Sequence, residues 1–427
     1  MTENMENDNR KDLQRKKGSF AGGVVVGMAA ALLIFCGVYF GSRLVSVLEA
    51  KNGGGMITSA VPVNRHESFL DKEAAAKLRI LENTIKDYFY LSEVTDEKLE
   101  EGMYRGIVAS LEDPYSEYYS AEELVRIMEE TEGVYYGIGA YVSMDAETKL
   151  PKISGVIENT PAEEAGLRSN DLIYEVEETS VYGITLSEVV SLIKGEEGTK
   201  VKLTLIREGE SDYVELLVER RKVEAPTVNF EMMEDGMAYI QIVEFADVTV
   251  DQFAEALAMA KGSSMKGLIL DLRANPGGSL DAVVEIARML LPEGMIVYTE
   301  GKSGVHQEYT CDGTRRLQTP LTVLVDMNSA SASEILAGAI KDHGIGTLVG
   351  TTTFGKGIVQ QIIPYSDGSA VKLTISSYFT PNGNNIHGVG IAPDIECEFD
   401  GEAYYNTENP VDNQLEKAKE VLREKMR

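Results

Sequence analysis

The chain is poor in histidine, cysteine and basic residues, and each scarcity excludes a class of function. Its 427 residues include four histidines, three cysteines and 40 lysines and arginines against 69 aspartates and glutamates, a formal net charge of -29. Nucleic acid is excluded as a partner, because binding to a phosphate backbone needs concentrated positive charge. The cysteines show no paired CxxC or CxH spacing, so the sequence does not support a zinc site.

One long uncharged run stands near the N-terminus. Residues 18–42 contain no charged side chain over 25 positions, close to the roughly 20 that cross a bilayer as a helix. Basic residues fill positions 15–17, and only Arg43 follows directly, so the positive-inside rule leaves residues 1–17 in the cytoplasm. A cleaved signal peptide is the alternative, but its apolar core spans only about 7–15 residues. We predict an uncleaved single-pass anchor in the cell membrane, with the rest of the chain extracytoplasmic.

Disulfide bonds persist outside the cytoplasm. If the chain beyond the anchor is extracytoplasmic, Cys311 and Cys397 are candidates for one disulfide. Two free thiols are the alternative.

The residue pattern after the anchor predicts a multidomain α/β protein. The next segment is rich in glycine and typical of a linker, and a helical region follows, whose tyrosines we interpret as packing residues. Short alternating strands then predict a β-rich module, strand–helix alternation predicts an α/β core, and the chain ends in an amphipathic helix. These segments are 43–66, 67–133, 134–222, 223–400 and 401–427.

A serine-rich junction follows the apolar strand pattern at 321–327. The stretch NSASASEILAG places Ser329, Ser331 and Ser333 where that strand pattern ends and a helical pattern begins. Ser331 with Glu334 fits a capping box, in which the serine only begins a helix. A nucleophile at the same junction is the second interpretation, and it requires a base and an oxyanion site elsewhere in the chain.

The candidate bases are few. His66 and His306 lie in polar surroundings, and His343 and His387 stay open as bases although the chain has no GxSxG elbow. Lys356, in FGKGIVQ, is flanked by glycines and uncharged residues, and a lysine becomes a base at neutral pH only when it is desolvated. A turn lysine in a hairpin is the alternative interpretation.

The stretch DLRANPGG ends another apolar strand pattern before a helix. Residues 275–278 bring backbone N–H groups close to a bound group with no side chain in the way. Phosphate binding is the rival interpretation, but neither GxxxxGK[ST] nor GxGxxG follows the strand. The stretch is better suited to an oxyanion site.

Together these motifs resemble the carboxyl-terminal processing proteases, serine peptidases with a Ser-Lys dyad and an inserted PDZ domain. The resemblance covers about residues 67–427. It rests on ASLEDPYSEYYSAEE in the helical region, YYGIGAYV and ISGVIENTPAEEAGLRSNDLIYEVE in the β-rich module, and DLRANPGG, SASASEILAG, FGKGIVQ and YFTPNGNNIHGVGIAPDI in the core. It implies a PDZ fold for the module and a ClpP/crotonase-like protease core.

The resemblance implies a role for each site residue. Ser331 would be the nucleophile, Lys356 the general base and Gln360 the residue that orients the lysine. The oxyanion would be held by the backbone N–H of Ala332 and of Gly277 or Gly278. Ser329 and Ser333 would then have structural roles. No metal or organic cofactor is expected.

The resemblance also implies a substrate class. Tyr136, Gly137, Ile138 and Gly139 correspond to the PDZ loop that holds a peptide carboxylate, so the expected partners are proteins with apolar C-terminal tails. The GNNIHG stretch departs from the family pattern, which often has a basic residue at Asn384 or Asn385, so no substrate contact is assigned to it. A homodimer through the terminal helices is also expected. The rival interpretation is a non-catalytic PDZ adaptor.

Overall fold

The computed structural model describes residues 68–302, 304, 306–406 and 410–427. None of the helices in that part of the chain is long and apolar enough to span a bilayer. The predicted anchor (18–42) and linker (43–66) lie outside the described residues and stay predictions. The chain divides into two compact units, Met1–Val94 and Thr95–Arg427.

The described part of the first unit forms helix α1 (Lys72–Tyr88). Asp71 begins the helix, because its carboxylate accepts the N–H groups of Glu73 at 3.0 Å and Ala74 at 2.8 Å. The helical periodicity of the sequence predicted this element.

The second unit opens with two helices and a short strand, followed by the β-rich module. Ser120 and Glu123 form a capping box at the second of these helices. The module is a six-stranded antiparallel sheet in the order β3-β4-β5-β7-β8, with β6 on β5, and a separate β2-β9 pair. The elements are α2 (Asp96–Ala109), β1 (Glu117–Tyr119), α3 (Ala121–Glu132), β2 (Val134–Gly137), β3 (Ala140–Met144), β4 (Pro151–Val156), α4 (Pro161–Glu164), β5 (Leu172–Val176), β6 (Thr179–Ser180), α5 (Leu186–Ile193), β7 (Lys200–Ile206), β8 (Val214–Glu219) and β9 (Arg221–Glu224).

The core follows and contains both strands and helices. Its elements are β10 (Val228–Met232), β11 (Met237–Ile242), α6 (Val248–Gly262), β12 (Gly267–Asp271), α7 (Leu280–Arg288), β13 (Glu293–Gly301), β14 (His306–Asp312), β15 (Leu321–Val325), α8 (Ala332–Asp342), β16 (Gly346–Gly350), β17 (Ile358–Pro364), β18 (Ala370–Phe379), β19 (Ile395–Glu396), α9 (Gly401–Tyr404) and α10 (Asn413–Lys425).

The central sheet of the core has the order β10-β11-β12-β15-β16-β19 and is parallel from β11 onward. Every residue of β12 and β15 is buried, which explains their continuous apolar sequences. Helices α6, α7 and α8 pack on one face around a core that includes Phe253, Leu270 and Leu336. Helix α10 covers the other face with Leu422 among its buried side chains. The strand–helix alternation predicted this layer.

A second sheet, β1-β18-β13-β14 with β17 on β18, was not predicted from the sequence. Its strands are only partly buried; in β14, HQEYTCD, most side chains are exposed, so the apolar signal of a strand is weak. Strand β1 comes from the region predicted as helical. It pairs with β18 in the register Glu117↔Lys372 to Tyr119↔Ala370, which fixes that segment against the core.

The disulfide considered for Cys311 and Cys397 is wrong, since both are free thiols. Cys311 is buried in the core with its Sγ 3.4 Å from the Leu291 carbonyl oxygen. Cys397 packs against the cluster beneath α10, where its Sγ accepts from Asn413 at 3.6 Å. The two sulfurs therefore belong to opposite faces of the central sheet.

Candidate active site

The loops that follow three neighbouring strands meet at one cleft of about 400 Å³. Strands β12, β15 and β16 are adjacent and parallel, so their carboxyl ends share one edge of the sheet. The NPGG, SASAS and FGKG stretches follow these three strands and come together there. The cleft is lined by the residues predicted for catalysis and oxyanion binding, Ser331, Lys356, Gln360, Ala332, Gly277 and Gly278.

Ser331 lies in the turn between β15 and α8. Its backbone adopts φ 54° and ψ -111°, a conformation that costs a non-glycine residue about 1–3 kcal/mol. Partners hold it there: its carbonyl oxygen accepts the Tyr378 hydroxyl at 3.1 Å, and its N–H donates to Glu334 at 2.9 Å. Burial, with a further contribution from Glu334, raises the pKa of Tyr378 well above its ordinary value, so that hydroxyl remains a donor. A strained backbone that hydrogen bonds hold at both its N–H and its carbonyl group is typical of a functional position.

The two flanking serines have structural contacts. Ser329 is fully buried and donates from Oγ to the Leu272 carbonyl at 2.8 Å. Ser333 is also fully buried and donates to the Asn275 carbonyl at 3.0 Å. These bonds tie the serine-rich turn to the loop after β12. Of the three serines, only Ser331 lines the cleft.

The NPGG turn approaches Ser331 closely. A Cβ on Gly277 would stand 2.8 Å from Ser331 Cβ and 3.0 Å from Ala332 N, so a side chain there has no room. The Gly277 N–H already donates to Asn275 Oδ1 at 2.8 Å. Within the described residues, the N–H groups of Gly278 and Ala332 donate to no protein acceptor. The geometry therefore favours Gly278 over Gly277 as the partner of Ala332 in an oxyanion hole.

Glu334 connects the serine turn to the lysine loop. Its carboxylate is fully buried. Oε2 accepts the backbone N–H of Ser331 at 2.9 Å and of Lys356 at 2.8 Å. Oε1 accepts the Thr353 hydroxyl at 2.6 Å and the Gly355 N–H at 2.7 Å. The sequence predicted the bond from Ser331, as half of a capping box, but gave no sign of the bonds to residues 353–356.

Lys356 is a half-buried lysine whose pKa is lowered. Burial is the largest cause and the nearby charge of Lys372 adds to it, while Asp113 and Glu334 partly oppose the shift. A lowered pKa increases the fraction of neutral amine, which a general base requires. The sequence predicted this desolvation from the uncharged residues around Lys356.

Gln360 and Tyr115 depart from the sequence-based interpretation. Gln360 donates from Nε2 to Thr374 Oγ1 at 3.3 Å and to the Ile358 carbonyl at 3.5 Å; among the described residues it has no bond to Lys356. Tyr115 was interpreted as a packing residue, yet its ring centroid lies 4.6 Å from Lys356 Nζ. The helical region therefore contacts Lys356, and its Tyr119 lines the cleft.

The chain matches known protein families along most of its length. Residues 236–397 match the model of peptidase family S41, residues 152–207 a PDZ domain, and residues 33–123 the activating protease CtpB N-terminal domain. The carboxy-terminal processing protease CtpA of Bacillus subtilis (strain 168) is 37% identical over 311 residues, 73% of this chain and 66% of its own length. CtpB of the same strain is 34% identical over 378 residues, 87% of this chain and 77% of its own.

The chain belongs to the carboxy-terminal processing proteases. It is a serine-type peptidase whose multidomain α/β fold combines a PDZ domain with an S41 core. The solved structure of a photosystem II D1 C-terminal processing protease is 31% identical and covers 75% of this chain and 86% of that one, with a TM-score of 0.44.

The PDZ domain of this protease presents the predicted carboxylate loop between β2 and β3. Gly139 has φ +86°, and a Cβ there would collide with Thr160 at 2.3 Å. The carbonyls of Ile138 and Gly139 accept the N–H groups of Ala162 and Ile157, which fixes the loop. Among the described residues, the N–H groups of Ile138 and Gly139 have no protein acceptor, so they are available to an anion. Tyr136 and Gly137 lie at the end of β2 beside them.

The three histidines in the described part of the chain, His306, His343 and His387, offer the protease no base in the cleft. His343 begins the turn after α8, and its Nε2 is 2.7 Å from the Met295 carbonyl oxygen. His387 has an exposed side chain beside the lysine loop, with its backbone next to Gly357. Neither residue lines the cleft that holds Ser331.

Proposed function

We propose that this protein is a membrane-anchored endopeptidase that captures the C-terminal tails of exported proteins with its PDZ domain and cleaves them with a Ser331–Lys356 dyad. One observation carries the proposal. A strained serine, two backbone N–H groups that have no acceptor among the described residues, and a half-buried lysine of lowered pKa line the same cleft. These are the three parts that acyl transfer by a serine requires.

In the proposed reaction, Ser331 Oγ attacks the substrate carbonyl carbon while its proton passes to the neutral Lys356 amine. The N–H groups of Ala332 and Gly278 hold the oxyanion. Collapse of the tetrahedral intermediate breaks the C–N bond, and Lys356 returns the proton to the leaving amine. Water then attacks the acyl-enzyme, with Lys356 again as base, and releases the new C-terminus and free Ser331. Gln360 orients the lysine once substrate displaces its present bond to Thr374.

Substrate capture is the role of the PDZ domain in this proposal. The N–H groups of Ile138 and Gly139 bind the terminal carboxylate, and β3 accepts the tail as an added strand. A single span at 18–42 places the PDZ domain and core outside the cytoplasm. The active form is a homodimer through the terminal helices.

The test compares Ser331→Ala, Lys356→Ala and His387→Ala in the full chain, on an unfolded protein with an apolar C-terminal tail. We expect the first two variants to lose cleavage and His387→Ala to retain it. Cleavage at the wild-type rate by Lys356→Ala contradicts the dyad. If all variants and the wild type bind tails and none cleaves, the protein is a PDZ adaptor.

Anchoring and assembly need separate measurements. A protease added to intact cells should degrade residues 68–427 and spare an epitope tag placed before residue 18; protection of the core contradicts the proposed orientation. Light scattering of the detergent-solubilised chain should give twice the protomer mass, and a strict monomer contradicts the dimer.

A further inference from the structure

The base of the proposed dyad has an aromatic partner from a distant part of the chain. Lys356 Nζ lies 4.6 Å from the centroid of the Tyr115 ring, inside the roughly 6 Å at which a ring face attracts an ammonium group. Both side chains are partly buried, and desolvation strengthens such a contact. The two residues are far apart in the sequence, with the whole PDZ domain between them.

Tyr115 is held in place by a turn. Asp113 accepts the Tyr115 N–H at 3.1 Å and the Ser116 hydroxyl at 2.6 Å. Burial pushes the pKa of Asp113 up, but these bonds, one from Thr374 and the charge of Lys356 bring it below its ordinary value. The carboxylate therefore stays ionised and keeps the turn closed.

The turn is also hydrogen-bonded to β18, the strand whose Thr374 accepts a hydrogen bond from Gln360. Ser116 Oγ accepts the Thr374 N–H at 3.2 Å, and Thr374 Oγ1 accepts Gln360 Nε2 at 3.3 Å. Strand β1 continues this attachment by pairing with β18 directly after the turn. The position of the Tyr115 ring is thus set by the same strand as that of Gln360, the residue expected to orient the base.

The charged groups around Lys356 act on its ammonium form in opposite directions. Lys372 on β18 disfavours the ammonium form, while Asp113 on the turn and Glu334 on α8 favour it. Asp113 and Glu334 are already occupied by other hydrogen bonds. The Tyr115 ring face, in contrast, is in direct contact with the ammonium.

We propose that Tyr115 is a positioning residue for the general base, whose ring face holds the Lys356 ammonium that forms when Ser331 gives up its proton. This inference rests on the proposed function, in which Lys356 is the base. The ring stabilises the charged lysine while the acyl-enzyme forms and aims its protons toward the cleft for transfer to the leaving amine. The turn at 113–116 is therefore part of the catalytic apparatus.

The test follows kcat/KM against pH for the full chain in detergent, with wild type, Tyr115→Phe and Tyr115→Leu. Phenylalanine keeps the ring face and should match wild type. Leucine keeps an apolar contact but lacks the ring, so we expect the alkaline plateau to fall about 3- to 30-fold. Because the ammonium loses a stabilising partner, the acidic limb should move to lower pH, and the deficit should shrink below it. A simple loss of structure lowers the whole profile without moving the limb.

A second series keeps the shape of the side chain constant. Phenylalanine with one, two or three ring fluorines at position 115 weakens the ring quadrupole stepwise and leaves packing unchanged, so a folding defect cannot explain a graded result. We expect the plateau to fall and the limb to shift with each fluorine. A flat series, or a limb that stays or moves to higher pH in Tyr115→Leu, overturns the inference.

Different results would contradict the proposed dyad and the proposed role of Tyr115. In a Ser331→Ala background, the pH dependence of Lys356 acetylation by acetic anhydride, read by mass spectrometry, reports the lysine without catalysis. An acetylation midpoint that drops from Tyr115→Phe to Tyr115→Leu supports the inference, and identical midpoints contradict it. Full activity of Lys356→Ala would instead contradict the proposed function itself.

Discussion

Ser331 and Lys356 donate their backbone N–H groups to the same atom, Oε2 of Glu334, at 2.9 and 2.8 Å. The turn that presents the proposed nucleophile and the loop that presents the proposed base therefore share one buried carboxyl group. A carboxylate suits this position because four donors converge on it, counting Thr353 and Gly355.

Glu334→Gln should separate the two catalytic loops. The amide group turns one acceptor into a donor that faces N–H or O–H donors, and the unsatisfied groups cost about 1–3 kcal/mol of stability. A displacement of either loop by about 1 Å is enough to lower kcat roughly 10²-fold. Steady-state kinetics and thermal unfolding measure both effects. Thr353→Val, which removes one donor to Glu334 and the acceptor of the Ile391 N–H but keeps the carboxylate, is the control and should lose far less activity; equal losses would contradict a bridging role.

Ser331→Gly should be more stable than Ser331→Ala, by about 1 kcal/mol. Both variants lack the hydroxyl, but only glycine adopts φ 54° and ψ -111° without strain. Denaturant unfolding of the two proteins side by side gives the difference. If alanine proves as stable as glycine, the backbone at position 331 is not strained.

Lys372→Met should shift the pH profile to higher pH. The charge of Lys372 contributes to the lowered pKa of Lys356, after burial. Removing a like charge raises that pKa, so a larger fraction of the base is protonated at neutral pH and the acidic limb of kcat/KM moves toward alkaline values. Lys341→Met is the control, because that lysine pairs with Asp394 away from the cleft. A limb unchanged or shifted to lower pH in Lys372→Met would show that the two lysines do not interact.

The shift expected for Lys372→Met is opposite in sign to that for Tyr115→Leu. One change removes a group that opposes the ammonium, and the other removes a group that favours it. The pair therefore distinguishes electrostatic control of Lys356 from general damage to the cleft.

Local sequence patterns predicted the parts of the core that depend on adjacent residues. The continuous apolar strands, the helices between them and the glycine-rich turn at Gly277 follow from periodicity and from backbone freedom. That Ser331 and Lys356 belong to one site was implied by the family resemblance, and the structure places both in one cleft because parallel neighbouring strands end at one edge.

Local patterns could not predict contacts between residues that are distant in the sequence. Tyr115 and Lys356 are separated by most of the folded unit, including the whole PDZ domain, and nothing near either residue marks the other. Glu334 looked like half of a capping box because its partners at 353–356 belong to the next loop. Sequence left open whether Cys311 and Cys397 form a disulfide, because sequence order does not reveal that they lie on opposite faces of the sheet, where both are free thiols.

The central claim is that Ser331 is the nucleophile and Lys356 its base. A fluorophosphonate that reacts with activated serines, followed by peptide mapping with mass spectrometry, tests both parts in one measurement on the full chain. The account predicts a single adduct on Ser331 in wild type and in His387→Ala, and none in Lys356→Ala. An adduct on another serine, or labelling of Lys356→Ala at the wild-type rate, would contradict it.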